Sequence, residues 1–105
     1  MENKKTQKEK IKEMEALYCE YVHEFDRATQ REKEARAEEV RATERKDYHE
    51  AEYQRGRAEE ASKTASCKAS ASCAVAEVLA IFRGWGVDAV QEDLHTRYNL
   101  WHFGE

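Results

Sequence analysis

Residues 11–28, IKEMEALYCEYVHEFDRA, decide the fold class. Ile11, Met14, Tyr18, Tyr21, Phe25 and Ala28 recur at alternating steps of three and four, which is heptad spacing and puts them on one stripe of an α-helix. Leu17 and Val22 widen that stripe. Between them stand Lys, Glu, Asp and Arg, as expected on the solvated side of an amphipathic helix.

The helical signal extends in both directions. The 105 residues contain no proline and only four glycines, and 38% are charged. A chain so polar, with a mean hydropathy of −1.02, is either disordered or a long helix. The polar residues here are mostly strong helix formers, and aromatics reach 10%, so helix is the better account. Beyond Ala28 the seam fades: Glu32, Ala35, Glu39, Ala42, Lys46 and His49 occupy the positions where large apolar residues would continue it. Opposite charges at i,i+4 recur instead, as Glu32/Arg36, Lys46/Glu50 and Glu59/Lys63, each adding about 0.2–0.5 kcal/mol to a helix. Residues 58–76 are dominated by Ala, Ser and Cys, small enough to let another helix approach closely.

Large apolar residues return at Val75, Val78, Leu79 and Phe82 with amphipathic spacing. Gly84-Trp85-Gly86 then stops the helix, Gly84 being placed as a left-handed cap. Asp88 with Gln91 resembles a capping box opening a short helix over about residues 88–99. Val87, Val90, Leu94, Tyr98 and Trp101 share one of its faces.

The expected fold is therefore all-α. Residues 1–83 form a long charged helix, either a hairpin turning near Gly56 or a continuous coiled-coil helix, and residues 84–105 form a turn, a short helix and an aromatic tail. A hairpin would bring the two large apolar clusters together and pair alanine with alanine between them. In either case Ile11, Met14, Tyr18, Tyr21, Phe25, Val75, Val78, Leu79 and Phe82 are the expected self-association seam.

Charge and cysteine content narrow the function classes. The formal net charge is −4, with residues 14–60 the most acidic part, which argues against a dedicated nucleic-acid binder. Cys19, Cys67 and Cys73 have no disulfide-framework spacing. Cys67 and Cys73 lie about 120° apart on a helix, the wrong geometry for a bridge. The run from Cys73 to Phe82 is interrupted by Glu77 and reads as too short to span a bilayer. With no apolar leader, the expectation is a cytoplasmic protein with reduced thiols and no membrane partner.

Two Glu-x-x-His pairs, Glu20/His23 and Glu92/His95, have the spacing used in di-iron bundles, but no further inward glutamates accompany them. Cys19 and His23 form at most half of a zinc site. The serines sit inside helices, where backbone amides are already bonded and no oxyanion hole can form. The expectation is a non-enzymatic protein with no metal or cofactor: a helical interaction protein that self-associates and binds protein. Its partner contact is expected at Trp85, Tyr98, Trp101 and Phe103, since large aromatics are the commonest interface anchors. An alternative from another class is a small accessory or inhibitor protein, of the kind phages and mobile elements encode, using the acids between Glu32 and Glu52 to block a host nuclease or defence complex.

Overall fold

A computed structural model describes the backbone of residues 6–103 and the side chains of residues 6–99. The described residues form three α-helices and no strand: α1, Gln7–Glu44; α2, Tyr48–Arg83; and α3, Val87–Phe103. At 38, 36 and 17 residues, they make the chain overwhelmingly helical. The sequence expectation of an all-α chain with a short final helix holds.

The turn does not. Gly56 lies inside α2, and α1 ends ten residues earlier, at Arg45-Lys46-Asp47. Lys46 takes a left-handed conformation at φ 62°. Its amide bonds the Thr43 carbonyl at 3.0 Å, and the Asp47 amide bonds the Ala42 carbonyl at 2.9 Å. This pair of bonds is a Schellman ending, here with lysine where glycine usually stands. Asp47 also caps α2, its carboxylate accepting the Glu50 amide at 3.2 Å. A lone glycine in a helix costs only about 1 kcal/mol and does not force a turn.

The second stop agrees with the sequence. Gly84 has φ 68°, with its amide on the Ile81 carbonyl and the Trp85 amide on the Ala80 carbonyl at 3.1 Å. The same Schellman pattern thus ends α2. α3 begins at Val87, so Asp88 falls in its first turn instead of capping it, and the helix runs past residue 99 to Phe103. At the start of α1 the Thr6 hydroxyl accepts the Glu9 amide at 3.1 Å.

Two compact units divide the chain: residues 23–69, and residues 1–22 with 70–105. In the first, the end of α1 and the start of α2 form an antiparallel hairpin, with ion pairs Arg55–Glu39 at 2.8 Å and Lys68–Glu24 at 2.6 Å. Its buried stripe is alanine at strict sevens: Ala28, Ala35 and Ala42 on α1, and Ala51, Ala58 and Ala65 on α2, with Ala61 beside them. Of the positions where the seam fades, Ala35 and Ala42 are buried and carry it on, while Glu32 and Glu39 are half-buried and Lys46 and His49 exposed. Each buried methyl contributes little, about 0.8 kcal/mol, so this hairpin rests on close approach over many small contacts.

The second unit holds the large side chains. Tyr18 and Val22 from α1, Ala76, Leu79 and Ala80 from α2, and Val90, Leu94 and Tyr98 from α3 form its core. Ile11, Met14, Cys19 and Val75 border it. The two apolar clusters of the sequence do meet. They do so because the chain reverses at residues 45–47, not at Gly56, and because α3 folds back after Gly84.

Within α2 an 18-residue window reaches a mean hydropathy of 1.4, long and apolar enough to cross a membrane by length and composition, and 28% of it is buried in the fold. The expectation of too short an apolar run is corrected to that extent. Core helices of soluble proteins reach the same length and hydropathy.

Candidate interaction surface on the last turns of α2

The end of α2 is held by charge as well as by packing. Glu15 of α1 accepts hydrogen bonds from Arg83 of α2 and, at 2.9 Å, from Arg97 of α3. Asp93 of α3 pairs with the same two guanidiniums, at 2.9 Å from Arg83 and 3.3 Å from Arg97. Two acids and two arginines thus close a ring across three helices. Arg83 and Glu15 are largely buried, so these pairs are screened less than the ring's outer members. Arg83 also lies 5.0 Å from the centre of the Trp85 ring, a cation–π contact that holds the tryptophan beside the helix end.

Beneath the ring, the Tyr18 hydroxyl lies 2.9 Å from His95 Nε2, with the two rings edge to face at 5.7 Å. Burial pushes the Tyr18 phenol up to about 12, with Cys73 and Cys19 adding to the shift. A phenol held protonated in this way donates to the imidazole nitrogen in the tautomer that leaves Nε2 without a proton. Burial also raises the Cys19 thiol, which the charge of Arg97 partly offsets. Gln91 Nε2 lies 3.8 Å from the Cys73 sulfur. His95 is therefore engaged with Tyr18, while Glu92, Glu20, Cys67 and Cys73 are exposed and Cys19 and His23 half-buried. Among the described residues no group of three or more His, Cys, Asp or Glu side chains is arranged to hold a metal ion.

The opposite face of the same helix end is apolar and open. Leu79 and Ala80 are buried, yet Val78 is 41%, Ile81 80% and Phe82 46% exposed. Trp85 is 49% exposed just beyond. A helix that is apolar all round normally has all its faces covered. Val78 and Phe82, expected in the self-association seam together with Leu79, lie on this outer face, because the inner face is taken by Ala76, Leu79, Ala80 and Arg83. Val22 takes the inward position on α1, leaving Tyr21 and Phe25 half-buried.

Of the expected partner-binding aromatics, Trp85 is available. Tyr98 is not: it is 3% exposed and part of the core, because it follows Val90 and Leu94 at steps of four. The side chains of Trp101 and Phe103 lie outside the described residues. Ile81, three after Val78 and seven after Ala74 on α2, shares their outer stripe and is the further exposed apolar residue there. In the acidic stretch, Glu32 pairs with Arg36, Glu38 with Arg41 and Glu39 with Arg55, so much of its charge is matched within the unit. No protein-family model matches the chain, and no curated protein or solved structure shows significant similarity to it.

Proposed function

We propose that this chain is a non-enzymatic helical interaction protein that docks an α-helix of a protein partner on the outer face of α2's last turns. The observation that carries this reading is the double-sided apolar character of residues 74–85. Leu79 and Ala80 are covered by the fold, while Val78, Ile81, Phe82 and Trp85 face solvent. Contiguous apolar patches are rare on monomers unless something binds them. Ala74, Val78 and Ile81 step by four and three, the spacing at which one helix receives another, and Trp85 stands past the helix end against Arg83. The internal charge ring supports the reading from behind, since it fixes the helix end and so presents the face in one geometry.

The test is a photo-crosslinking amino acid, benzoylphenylalanine, placed at Val78 in cells that make the protein, with exposed Ala37 as control. Crosslinks from position 78, and not from 37, that map to a helical segment of protein support docking. Equal crosslinking at both positions, or none at 78, sinks it.

A further inference from the structure

We infer that the hairpin of residues 23–69 carries a binding site for a small diphosphate-bearing ligand, on the flank where Arg27 and Arg31 of α1 meet Arg57 of α2. The inference is independent of the docking reading above. The first observation is unmatched charge. Residues 23–69 carry eleven Lys/Arg against twelve Asp/Glu, so carboxylates are plentiful. Arg36, Arg41 and Arg55 each hold one, and Lys68 holds Glu24. Among the described residues, Arg27 and Arg31 have no hydrogen bond or ion pair, and Arg57 bonds only the neutral Gln54. Arg27 and Arg31 stand four apart on α1, where like charges repel.

The second observation is convergence. Two adjoining grooves between α1 and α2, about 240 and 230 Å³, share Arg31 and Thr64. Arg57 lines the first, Arg27 and Lys68 the second. The third is a fixed guanidinium. Gln54 is only 5% exposed; its Nε2 donates to Glu50 at 2.8 Å, and its Oε1 accepts from Arg57 at 3.2 Å. A buried amide thus sets Arg57 in place and leaves its other N–H groups for a ligand. Guanidinium forks bind phosphate oxygens two at a time. Two grooves joined at one arginine fit two linked phosphates, with Arg31 bridging them, Arg57 on one and Arg27 on the other. Glu60 on the rim sets one carboxylate against three arginines. A single ligand carboxylate would leave most of that positive charge uncompensated. A nucleic acid needs a longer basic track, and the chain's net charge of −4 repels it.

Titration of the full chain with sodium pyrophosphate at fixed ionic strength, up to about 10 mM, tests this through its arginine Nε–Hε and backbone amide NMR signals. The expected result is saturable shifts centred on Arg27, Arg31 and Arg57, with a dissociation constant on the order of 1 mM or tighter. Arg31→Gln should weaken binding at least about tenfold, because Arg31 serves both grooves. Arg31→Lys should fall between, keeping the charge and losing the fork. Arg36→Gln, which removes an arginine already paired with Glu32, should leave binding unchanged. Without added anion, Arg31→Gln should melt no lower than the parent, since it relieves a repulsion; a lower melting temperature would mean that Arg31 serves the fold, and overturns the inference. Orthophosphate and succinate should each bind at least about tenfold more weakly than pyrophosphate, and equal affinity for either overturns the diphosphate assignment. No saturable shift, or binding indifferent to Arg31→Gln, overturns the site. A short oligonucleotide that shifts these signals while pyrophosphate does not would make the flank a nucleic-acid surface, and also overturns it.

Discussion

The Asp47 carboxylate accepts the amide of Glu50 at 3.2 Å while the Asp47 amide closes the last turn of α1 on the Ala42 carbonyl. One residue therefore ends one helix and begins the next, which is why three residues suffice for the reversal. The weak point is its neighbour: Lys46 sits at φ 62°, where a side chain costs about 1–2 kcal/mol. Lys46→Gly should raise stability by up to about 1 kcal/mol, and Asp47→Ala should lower it by about 1 kcal/mol. Gly56, mid-helix with open space around its α-carbon, should behave in the opposite sense to a turn glycine. Gly56→Ala should stabilise by about 1 kcal/mol. Denaturant melts of the three variants check this, and a loss of stability in Gly56→Ala would contradict its place in α2.

The helical class, the Gly84 stop and the meeting of the two apolar clusters were legible in the sequence because each rests on local pattern. The position of the first turn is less legible, since Gly56 suggests a break that the helix does not make and Lys46 carries no turn signature. Yet Asp47-Tyr48-His49-Glu50 is a capping-box spacing, and it was available. Moving a turn by ten positions shifts every facing partner by about twenty. That is why Phe25 belongs to the alanine hairpin instead of lying opposite Val87. Which face of α2 points inward was not legible either: residues 75–82 are apolar on every side except at Glu77, and only the docking of α1 and α3 chooses between the sides.

The alanine seam makes its own prediction. Ala58 is fully buried and Ala37 is exposed. Ala58→Leu should force the two helices apart and cost about 1–3 kcal/mol, whereas Ala37→Leu should change stability by less than about 0.5 kcal/mol. Equal effects in thermal melts would mean that the hairpin is not closely packed at this layer.

Hydrogen exchange should separate the two units. Residues 23–69 are held largely by single methyl groups, while the other unit buries Tyr18, Leu79, Val90 and Leu94. A fully buried large apolar side chain contributes about 1.5–3 kcal/mol, several times an alanine methyl. Amides around Ala35 and Ala58 should therefore exchange faster than those around Tyr18 and Leu79. Uniform protection along α1 and α2 would show a single cooperative unit.

The charge ring should act as a joint. Arg83 serves Glu15 and Asp93 together, and both arginines share both acids. Arg83→Ala leaves two carboxylates facing each other with only the more exposed Arg97 between them, and should cost about 3 kcal/mol. Arg97→Ala, on the solvent side, should cost about 1 kcal/mol or less. The double variant should depart from the sum of the two, as members of one network do. Additive losses in chemical denaturation would dissolve the ring into independent pairs.

The last prediction concerns alkaline pH. Tyr18 is 1% exposed, and its phenol is pushed up to about 12 from an ordinary value of 10, first by burial and then by Cys73 and Cys19. A raised folded value means that the unfolded chain releases the proton first. Below pH 10 both states keep it, and the full contribution of the buried phenol is present. From about pH 10 to about pH 12 the unfolded state ionises while the folded state does not, so stability falls. At 1.36 kcal/mol for each pH unit the loss is on the order of 2 kcal/mol. Tyr18→Phe removes the ionisable group and leaves the ring to fill the same space. It gives up the hydrogen bond to His95, but that imidazole is exposed and can bond water. The variant should therefore be somewhat less stable at neutral pH yet lose less between pH 10 and pH 12 than the parent, whose other tyrosines serve as the common background. Urea midpoints measured at half-unit steps across that window decide it. Parallel curves for parent and variant would mean that the Tyr18 phenol is not held protonated by the fold.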